Sequence, residues 1–178
     1  MDVHPAAGET QDEVLAVDLF KLDLRSKDYF ADIGCGSGKV AIAAAAKVAK
    51  VYAVDRNPEA LAFARAQAES AGILNIDFFG AEAEEYLSRC GRLDVAFVGG
   101  TRGITEFLPL LAEKVRRRIV VNAVRLETLC EAVTVMKSAG IFLDITHIQV
   151  SRSRPLAGGL RFEPGNPVWI ITGEGCSC

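Results

Sequence analysis

The sequence predicts an α/β fold with a mostly parallel seven-stranded sheet and an antiparallel closing strand. Short apolar runs of strand length alternate with longer segments of helical periodicity, which is typical of repeated β–α–β units. The last two predicted strands follow each other without a helix, which indicates an antiparallel pair. The 178 residues, half of them hydrophobic, suffice for one compact domain and leave little room for a second.

The predicted elements follow one another from residue 10 onward. A capping box over residues 10–13 predicts the start of an N-terminal helix, because Thr10 and Glu13 can each satisfy a free amide of the first turn. Strands are predicted over residues 29–33, 51–55, 76–79, 93–98, 118–121, 142–151 and 167–172, and helices over 11–21, 39–48, 58–71, 83–89, 104–114 and 126–139. We assign residues 1–173 to a single domain, with the first helix and its linker at 10–28, and residues 174–178 to a flexible tail.

The composition predicts a cytoplasmic protein without a metal site. No run approaches the ~20 apolar residues of a membrane helix, and residues 1–5 lack the basic and apolar regions of a signal peptide. The five cysteines are scattered without Cys-x-x-Cys spacing, and only two histidines accompany them. Reduced thiols fit this pattern better than zinc ligands do.

Charge is distributed unevenly along the chain. Up to Ser88 there are 8 Lys or Arg against 15 Asp or Glu, and from Arg89 to Arg161 there are 12 against 6. A basic second half favours an anionic partner. We interpret the three arginines at 116–118, directly before a predicted strand, as solvated surface.

A glycine-rich loop follows the strand predicted at 29–33. It reads Asp32-Ile33-Gly34-Cys35-Gly36-Ser37-Gly38, and glycines let a backbone turn sharply and approach a ligand closely. Dinucleotide-binding loops favour G-x-G-x-x-G, in which a pyrophosphate lies at the helix N-terminus. This loop has no third glycine at that spacing, and Asp32 would repel a pyrophosphate but could hold the cationic amino-acid end of S-adenosylmethionine. The spacing resembles motif I of the Rossmann-like methyltransferases, so we predict that residues 32–38 bind that cofactor.

Four further residues are predicted to contact the same cofactor. Asp55 ends the second strand of the sheet, the usual position for a carboxylate that binds ribose hydroxyls. Glu82 and Ala83 follow the third strand, where this class of enzyme places contacts to adenine. Helix capping explains Thr10 fully, although a cap beside the site could also touch the cofactor.

The loop after the fourth predicted strand reads Val98-Gly99-Gly100-Thr101-Arg102-Gly103. Methyltransferases that act on planar amino groups often carry Asn/Asp-Pro-Pro-aromatic at this point, and this loop has neither a proline nor an aromatic residue. Free backbone amides and a guanidinium suit carboxylates instead. We therefore predict an acceptor other than an exocyclic amine, with Gly99, Gly100 and Arg102 on the substrate side.

Six segments occur in the order typical of one enzyme family. They are residues 8–14 (Gly-Glu-Thr-Gln-Asp-Glu-Val), 32–38, 55–60, 99–103, 122–128 (Asn-Ala-Val-Arg-Leu-Glu-Thr) and 166–168 (Asn-Pro-Val). Together they resemble the cobalt-precorrin C-15 methyltransferases (decarboxylating) of the anaerobic cobalamin pathway, also described as precorrin-8w decarboxylases. The resemblance spans residues 8–173, nearly the whole chain.

The resemblance implies a Rossmann-like class I methyltransferase that methylates carbon 15 of cobalt-precorrin-6B, an anionic tetrapyrrole, and removes carbon dioxide from an acetate side chain. It implies S-adenosyl-L-methionine as methyl donor, with contacts from Thr10, residues 34–38, Asp55 and Ala83, and assembly as a homotetramer. Members often have Gly-Asp-Ala where this chain has Ala81-Glu82-Ala83, so the adenine-side contact differs here. Neither a nucleic acid nor a membrane is expected as a partner.

A polycarboxylate substrate predicts a cationic rim around an apolar pocket. Guanidinium groups bind carboxylates through two N–H groups, and the predicted ligands are Arg102, Arg125, Arg152 and Arg154, with Arg161 beside them. We interpret the Gly-rich connection at 152–166 as a lid that excludes water. His147 is interpreted as a packed core residue, and no catalytic acid or base is assigned.

Two other functions are compatible with the same core. A tRNA base methyltransferase predicts steeply salt-dependent RNA binding, which a net charge of −3 without an added RNA-binding segment disfavours. The other is a cofactor-binding subunit that positions a partner and has lost activity, which the intact loop and Asp55 disfavour, although a site can bind without catalysing. Turnover of a tetrapyrrole separates both from the main hypothesis.

Overall fold

The structure is a computed structural model that describes residues 10–175. Six helices and nine strands lie within that range. The helices are α1 (Asp12–Leu22), α2 (Lys39–Ala45), α3 (Pro58–Ser70), α4 (Ala83–Arg89), α5 (Ile104–Lys114) and α6 (Leu126–Ser138). The strands are β1 (Tyr29–Ile33), β2 (Lys50–Asp55), β3 (Ile76–Gly80), β4 (Leu93–Val98), β5 (Val115–Ala123), β6 (Phe142–Ile148), β7 (Ser151–Leu156), β8 (Gly159–Pro164) and β9 (Val168–Glu174). None of the described helices is long and apolar enough to cross a membrane.

Seven strands form one sheet in the order β3-β2-β1-β4-β5-β9-β6. The first five are parallel to one another, and β9 is antiparallel to both of its neighbours, β5 and β6. This confirms the predicted mostly parallel sheet with an antiparallel closing strand. The strand order reverses between β1 and β4, and open α/β sheets bind ligands at such a point, beyond the carboxyl ends of the strands.

Helices cover both faces of the sheet and bury two apolar clusters. On one face α1, α2 and α3 pack over a cluster that includes Phe30 and Phe97. On the other face α4, α5 and α6 pack over a cluster that includes Phe107 and Met136. Burial of such side chains contributes roughly 2–3 kcal/mol each, so the sheet is a rigid platform for the loops at its edge.

Local sequence signals set several helix ends. Pro58 occupies the first turn of α3, and the Asn57 side chain accepts a hydrogen bond from the Glu59 amide at 3.0 Å. Gly72 (φ +68°) and Gly140 (φ +70°) directly follow the C-caps of α3 and α6 in the left-handed region. Glycine in this conformation is a common way for a helix to end.

The strand predicted over residues 142–151 is wrong in its second part. Strand β6 ends at Ile148, which pairs with Val168 at the start of β9, so no partner backbone continues beyond it. The chain then forms a separate antiparallel hairpin from β7 and β8, closed through Ala157 (φ +45°) and Gly158 (φ +80°). The segment at 152–166, predicted as a loop, is mostly strand.

The predicted capping box is also wrong. Helix α1 begins at Asp12 with Gln11 as N-cap, and the Gln11 side chain makes no capping hydrogen bond. Lys39 of α2 donates to the Thr10 carbonyl at 2.7 Å and pairs with Asp12 at 2.7 Å. Lys39 of the neighbouring helix α2 therefore holds the start of α1, and no capping side chain of α1 does so.

The predicted tail at residues 174–178 overlaps the end of the last strand. Glu174 is the last residue of β9, so the predicted flexible tail starts within a strand. Residues 1–9, and 176–178 of the tail, lie outside the described part of the chain.

Candidate active site

The loop between β1 and α2 lies at the carboxyl end of the sheet and depends on glycine. Gly34 (φ +73°), Gly36 (φ +52°) and Gly38 (φ +78°) all adopt the left-handed backbone conformation that other residues rarely take. The amides of Gly34 and Cys35 donate to the Val54 carbonyl of β2 at 2.8 and 3.0 Å. The loop is therefore folded back across the end of β2.

Gly34 and Gly100 pack backbone against backbone. A Cβ on Gly100 would lie 2.8 Å from the Gly34 Cα, and a Cβ on Gly34 would overlap the Gly100 backbone. The amides of Gly99 and Gly100 donate to the Ile33 carbonyl at 2.9 and 3.0 Å. The prediction that these two amides are free to bind carboxylates is wrong, because they join the β4 loop to the β1 loop.

Asp55 binds the backbone of both neighbouring loops. Its Oδ2 accepts a hydrogen bond from the Gly36 amide at 2.8 Å, and its Oδ1 accepts one from the Asn57 amide at 2.9 Å. A carboxylate has about four lone-pair sites, so capacity remains for ligand hydroxyls. The carboxylate faces a depression of about 200 Å³.

The depression brings the predicted adenosine-side residues together. Glu82, Ala83 and Arg102 line it with Asp55, and Glu82 is 3.4 Å from Arg56 in an ion pair. Arg102, predicted to bind substrate, therefore lies beside the residues that were predicted to contact ribose and adenine.

A larger cavity of about 350 Å³ adjoins the depression at Gly34 and Thr101. It gathers most of the remaining residues predicted from the loops, namely Thr10, Asp32, Gly34, Cys35, Gly36, Ser37 and Gly99. Gly38 lies outside both linings. Its Cβ would sit 2.8 Å from the Ala64 Cβ of α3, so helix packing accounts for this glycine.

Sequence reasoning assigned no role to ten other residues of the larger cavity. They are Gln11, Val14, Lys39, Val40, Phe97, Thr101, Asn122, Val124, Asn166 and Val168. A signal existed for seven of them, because Gln11, Val14, Thr101, Asn122, Val124, Asn166 and Val168 belong to the family-like segments. The other three are Lys39 and Val40 of α2 and Phe97 of β4, and only the tertiary structure brings them to the cavity.

Two buried carboxylates lie in and behind the wall of this cavity. Asp32 is 1% exposed and neither of its oxygens has a hydrogen bond of ordinary geometry. Burial, opposed by the nearby Ala41 backbone amide and aided by Asp55 and Asp18, raises its pKa to about 7. Asp18 of α1 is wholly buried, and burial raises its pKa to about 7 although the Asn122 amide donates to it at 2.7 Å. Each carboxyl group therefore changes charge near neutral pH.

The raised pKa of Asp18 predicts a pH-dependent stability difference for Asp18→Asn. The neutral acid is favoured in the folded state, so the wild type loses stability as pH rises above the model-peptide value of 3.8 and through about 7. The amide cannot ionise, so we expect its stability advantage over wild type to grow by about 2 kcal/mol between pH 5 and pH 8. Urea unfolding of the ligand-free protein measures this. The exposed Asp77→Asn should show no such growth, and equal curves for Asp18→Asn and wild type would contradict the prediction.

The Cys35 thiol is part of the cavity wall and remains protonated. Burial, together with the charges of Asp32 and Asp55, raises its pKa above the usual range, so it is not a nucleophile. No group of three His, Cys, Asp or Glu within residues 10–175 could hold a metal ion.

Four of the predicted substrate arginines are paired with surface glutamates. Arg125 is 3.4 Å from Glu127 and Arg152 is 2.5 Å from Glu13, while Arg154 and Arg161 share Glu163. These arginines lie outside the linings of both the cavity and the depression.

His147 is not a core residue. It is exposed on the edge strand β6 and stacks on Trp169 with ring centroids 5.3 Å apart. The interpretation as a packed core residue is wrong because β6 has a neighbour on one side only.

A separate cavity lies elsewhere in the described part of the chain. It has about 520 Å³ and is lined by α4 and by aromatic residues that include Tyr52, Phe79 and Tyr86. No residue of the glycine-rich loop at 32–38 lines it.

Comparison with known proteins agrees with the geometry. The profile of the precorrin methyltransferase domain matches residues 6–173. A protein of Methanosarcina acetivorans named "probable cobalt-precorrin-6B C(15)-methyltransferase (decarboxylating)" is 46% identical over 177 residues, which covers 97% of this chain and 96% of that protein. A protein of the same name from Archaeoglobus fulgidus is 38% identical and covers 93% of this chain and 96% of its own.

Solved structures give the same result. The crystal structure of precorrin-8w decarboxylase from Methanobacterium thermoautotrophicum has a TM-score of 0.88 at 32% identity and covers 93% of this chain and 91% of its own. Precorrin-6Y C5,15-methyltransferase from Geobacter metallireducens has a TM-score of 0.89 at 32% identity, with coverage of 95% and 92%. With the profile matching nearly its full length, this chain belongs to the precorrin methyltransferase family.

Proposed function

We propose that this chain transfers a methyl group from S-adenosyl-L-methionine to carbon 15 of cobalt-precorrin-6B and removes carbon dioxide from an acetate side chain, as a step of cobalamin biosynthesis. The observation that carries this proposal is the match, over nearly the whole chain, to relatives whose printed name states that reaction. Residues 1–173 form one methyltransferase domain in this proposal.

Incubation with methyl-labelled S-adenosylmethionine and cobalt-precorrin-6B tests the proposal. We expect a tetrapyrrole product that has gained the labelled methyl group and lost carbon dioxide, as read by mass spectrometry. A protein that binds S-adenosylhomocysteine but leaves the tetrapyrrole unchanged would instead be a binding subunit. Methylation of a tRNA base by the purified chain would support the other alternative and contradict the main proposal.

The described residues fit S-adenosylmethionine. The unpartnered Asp32 oxygens offer acceptors at the larger cavity, and Asp55 has lone pairs left at the adjoining depression. Open space lies around a Cβ built on Gly36. The proposed contacts are Thr10, Asp32, Gly34, Cys35, Gly36, Ser37, Asp55, Glu82 and Ala83, and Gly38 contributes by packing α2 against α3. When bound, the cofactor supplies an electrophilic methyl group on a sulfonium.

The acceptor would lie at the far end of the larger cavity. Asp55 and the glycine loop occupy the ends of β2 and β1, whereas Asn122 and Val124 reach the cavity from the end of β5, beyond β4. Holding the ring carbon in line with the methyl group is the main requirement of this transfer. Gly99 and Lys39 line this cavity and are the proposed substrate contacts there, with Gly100 and Arg102 at the adjoining depression. Arg125, Arg152 and Arg154 would have to leave their glutamate partners to reach the substrate.

The β7–β8 hairpin supports assembly into a homotetramer. It forms a two-stranded sheet apart from the main one, and such a hairpin is at best marginally stable in water by itself. It also exposes Leu156, Leu160 and Phe162, the latter two at 73% of their surface. In the register of the hairpin Leu160 and Phe162 share one face, and Leu156 lies on the other. Exposed apolar surface such as that of Leu160 and Phe162 marks an interaction site. The cytoplasm is the proposed location, and the free thiols of Cys35, Cys90 and Cys130 fit its reducing conditions.

A double substitution on the hairpin should dissociate the assembly. Leu160→Glu with Phe162→Glu places two charges where apolar contact is proposed, so we expect the tetramer mass to fall to that of smaller species in light scattering after gel filtration. Leu74→Glu with Phe63→Glu changes two exposed apolar residues outside the hairpin and should leave the mass unchanged. A tetramer that survives the hairpin substitutions would contradict the proposed interface.

A further inference from the structure

Asp18 and Asp32 differ from Asp28, the other buried carboxylate among the described residues, in having no counter-ion. Asp28 is 5% exposed and is 2.5 Å from the Arg117 guanidinium. The Asp32 oxygens have no hydrogen bond of ordinary geometry, and only the nearby Ala41 backbone amide favours their charge. Asp18 has one oxygen bound by a neutral amide and the other unpartnered. Among residues 10–175, no Lys, Arg or His forms an ion pair with either of them.

Both carboxylates lie on the sheet face that forms the floor of the larger cavity. In the register of β1, β4 and β5, Asp32 neighbours Phe97, and Phe97 neighbours Val120. Asn122 is two residues further along β5 and therefore points to the same face. Asp18 approaches from α1, which packs against β4, β5 and β9. Its carboxylate is thus one hydrogen bond behind a cavity-lining side chain.

Burial without a counter-ion is costly for a carboxylate, and one amide hydrogen bond offsets only part of the cost. Such groups therefore mark functional sites more often than stabilising ones. A ligand that carries positive charge into the cavity would supply the missing partner. The methyl donor and its product share their ammonium and carboxylate groups and differ at sulfur, which is a cationic sulfonium before transfer and a neutral thioether after it.

We propose that Asp18, acting with Asp32, makes the cavity selective for the sulfonium form of the cofactor over the thioether product. This inference rests on the proposed function. The electric field of the two carboxylates favours the donor before transfer and no longer holds the product after it. Asp32 faces the ligand directly, and Asp18 acts from behind Asn122.

The preference depends on pH, because the carboxyl groups must ionise to attract a cation. Two titratable groups lie near Asp32. The charge of Asp55 on β2 raises the pKa of Asp32, and the Cys35 thiol in the loop is close enough for Asp32 to raise its pKa. The charges at the ends of α1 are already paired, Lys39 with Asp12 and Lys21 with Asp144. Binding of the sulfonium form should therefore be accompanied by proton release near pH 7.

Titration calorimetry with S-adenosylmethionine and S-adenosylhomocysteine tests the inference on wild type, Asp18→Asn and Asp28→Asn. We expect the ratio of the two dissociation constants to favour the sulfonium more strongly at pH 8 than at pH 6 in wild type. Asp18→Asn should reduce that preference at least fivefold at pH 8, which is about 1 kcal/mol, while leaving affinity for the thioether nearly unchanged. Asp28→Asn removes a carboxylate that already has a counter-ion and should keep the wild-type ratio.

Proton release provides a second readout. Titrations near pH 7 in buffers of different ionisation enthalpy should show fewer protons released by Asp18→Asn than by wild type on binding the sulfonium. An unchanged ratio and unchanged proton release in Asp18→Asn would overturn the inference while leaving the proposed function intact. A wild type that binds neither ligand would count against the proposed function itself.

Discussion

Asp55→Ala is expected to weaken binding of S-adenosylhomocysteine about 100-fold, a loss of ~2.7 kcal/mol. The change removes the proposed acceptor of the ribose hydroxyls. It also releases the Gly36 amide, which Asp55 holds at 2.8 Å in the folded loop, so the ligand must reorder the loop on binding. Titration calorimetry on the purified variant measures the loss, and methyl transfer should fall with it.

Asp77→Ala is the matched control for that variant. Asp77 lies on the neighbouring strand β3, pairs with Lys50 at 2.8 Å and lies outside the linings of the larger cavity and the depression. Its removal should leave the dissociation constant within about twofold of wild type, since exposed ion pairs contribute little. Equal losses in both variants would mean that Asp55 has no special role at the site.

Gly34→Ala is expected to reduce the free energy of unfolding by about 3–4 kcal/mol. Part of the loss is backbone strain, because Gly34 has φ +73°, and left-handed conformations of other residues cost of the order of 1–3 kcal/mol. The remainder comes from the added methyl group, which would overlap the Gly100 backbone and separate the loops after β1 and β4. Chemical denaturation with a two-state fit measures it.

Gly72→Ala separates the two contributions. Gly72 has a similar φ of +68°, but nothing lies within 4 Å of a Cβ built on it, so only strain of about 1 kcal/mol is expected. If both alanine variants lost the same stability, the contact between Gly34 and Gly100 would not matter for the fold.

Much of the architecture could be predicted from the sequence because its signals are local. The predicted bounds are those observed for strands β1 and β4 and for helices α4 and α5. The other helices begin and end within a few residues of their predicted bounds. Apolar periodicity distinguishes helices from strands without tertiary information. The β1 loop was predictable for the same reason, since three glycines at that spacing require a special backbone wherever the chain folds.

The errors fall where distant residues compete with local signals. Lys39 binds the segment before α1, so the sequence pattern of a capping box does not form one. The Gly99 and Gly100 amides are used by the Ile33 carbonyl, although a glycine pair in isolation leaves them free. The arginines outside the cavity form ion pairs with glutamates, and no rule of sequence spacing predicts those pairs.

The sequence by itself determined the α/β class, the cofactor loop and the family, because periodicity, glycine spacing and motif order are properties of consecutive residues. Only the tertiary structure decided that β7 and β8 leave the sheet, since β9 offers no backbone beyond Val168. It alone placed Asp18 behind Asn122, 104 residues away in the chain. A carboxylate on an amphipathic helix is indistinguishable from a solvated one until the face it packs against is known, and that depends on every other element of the fold.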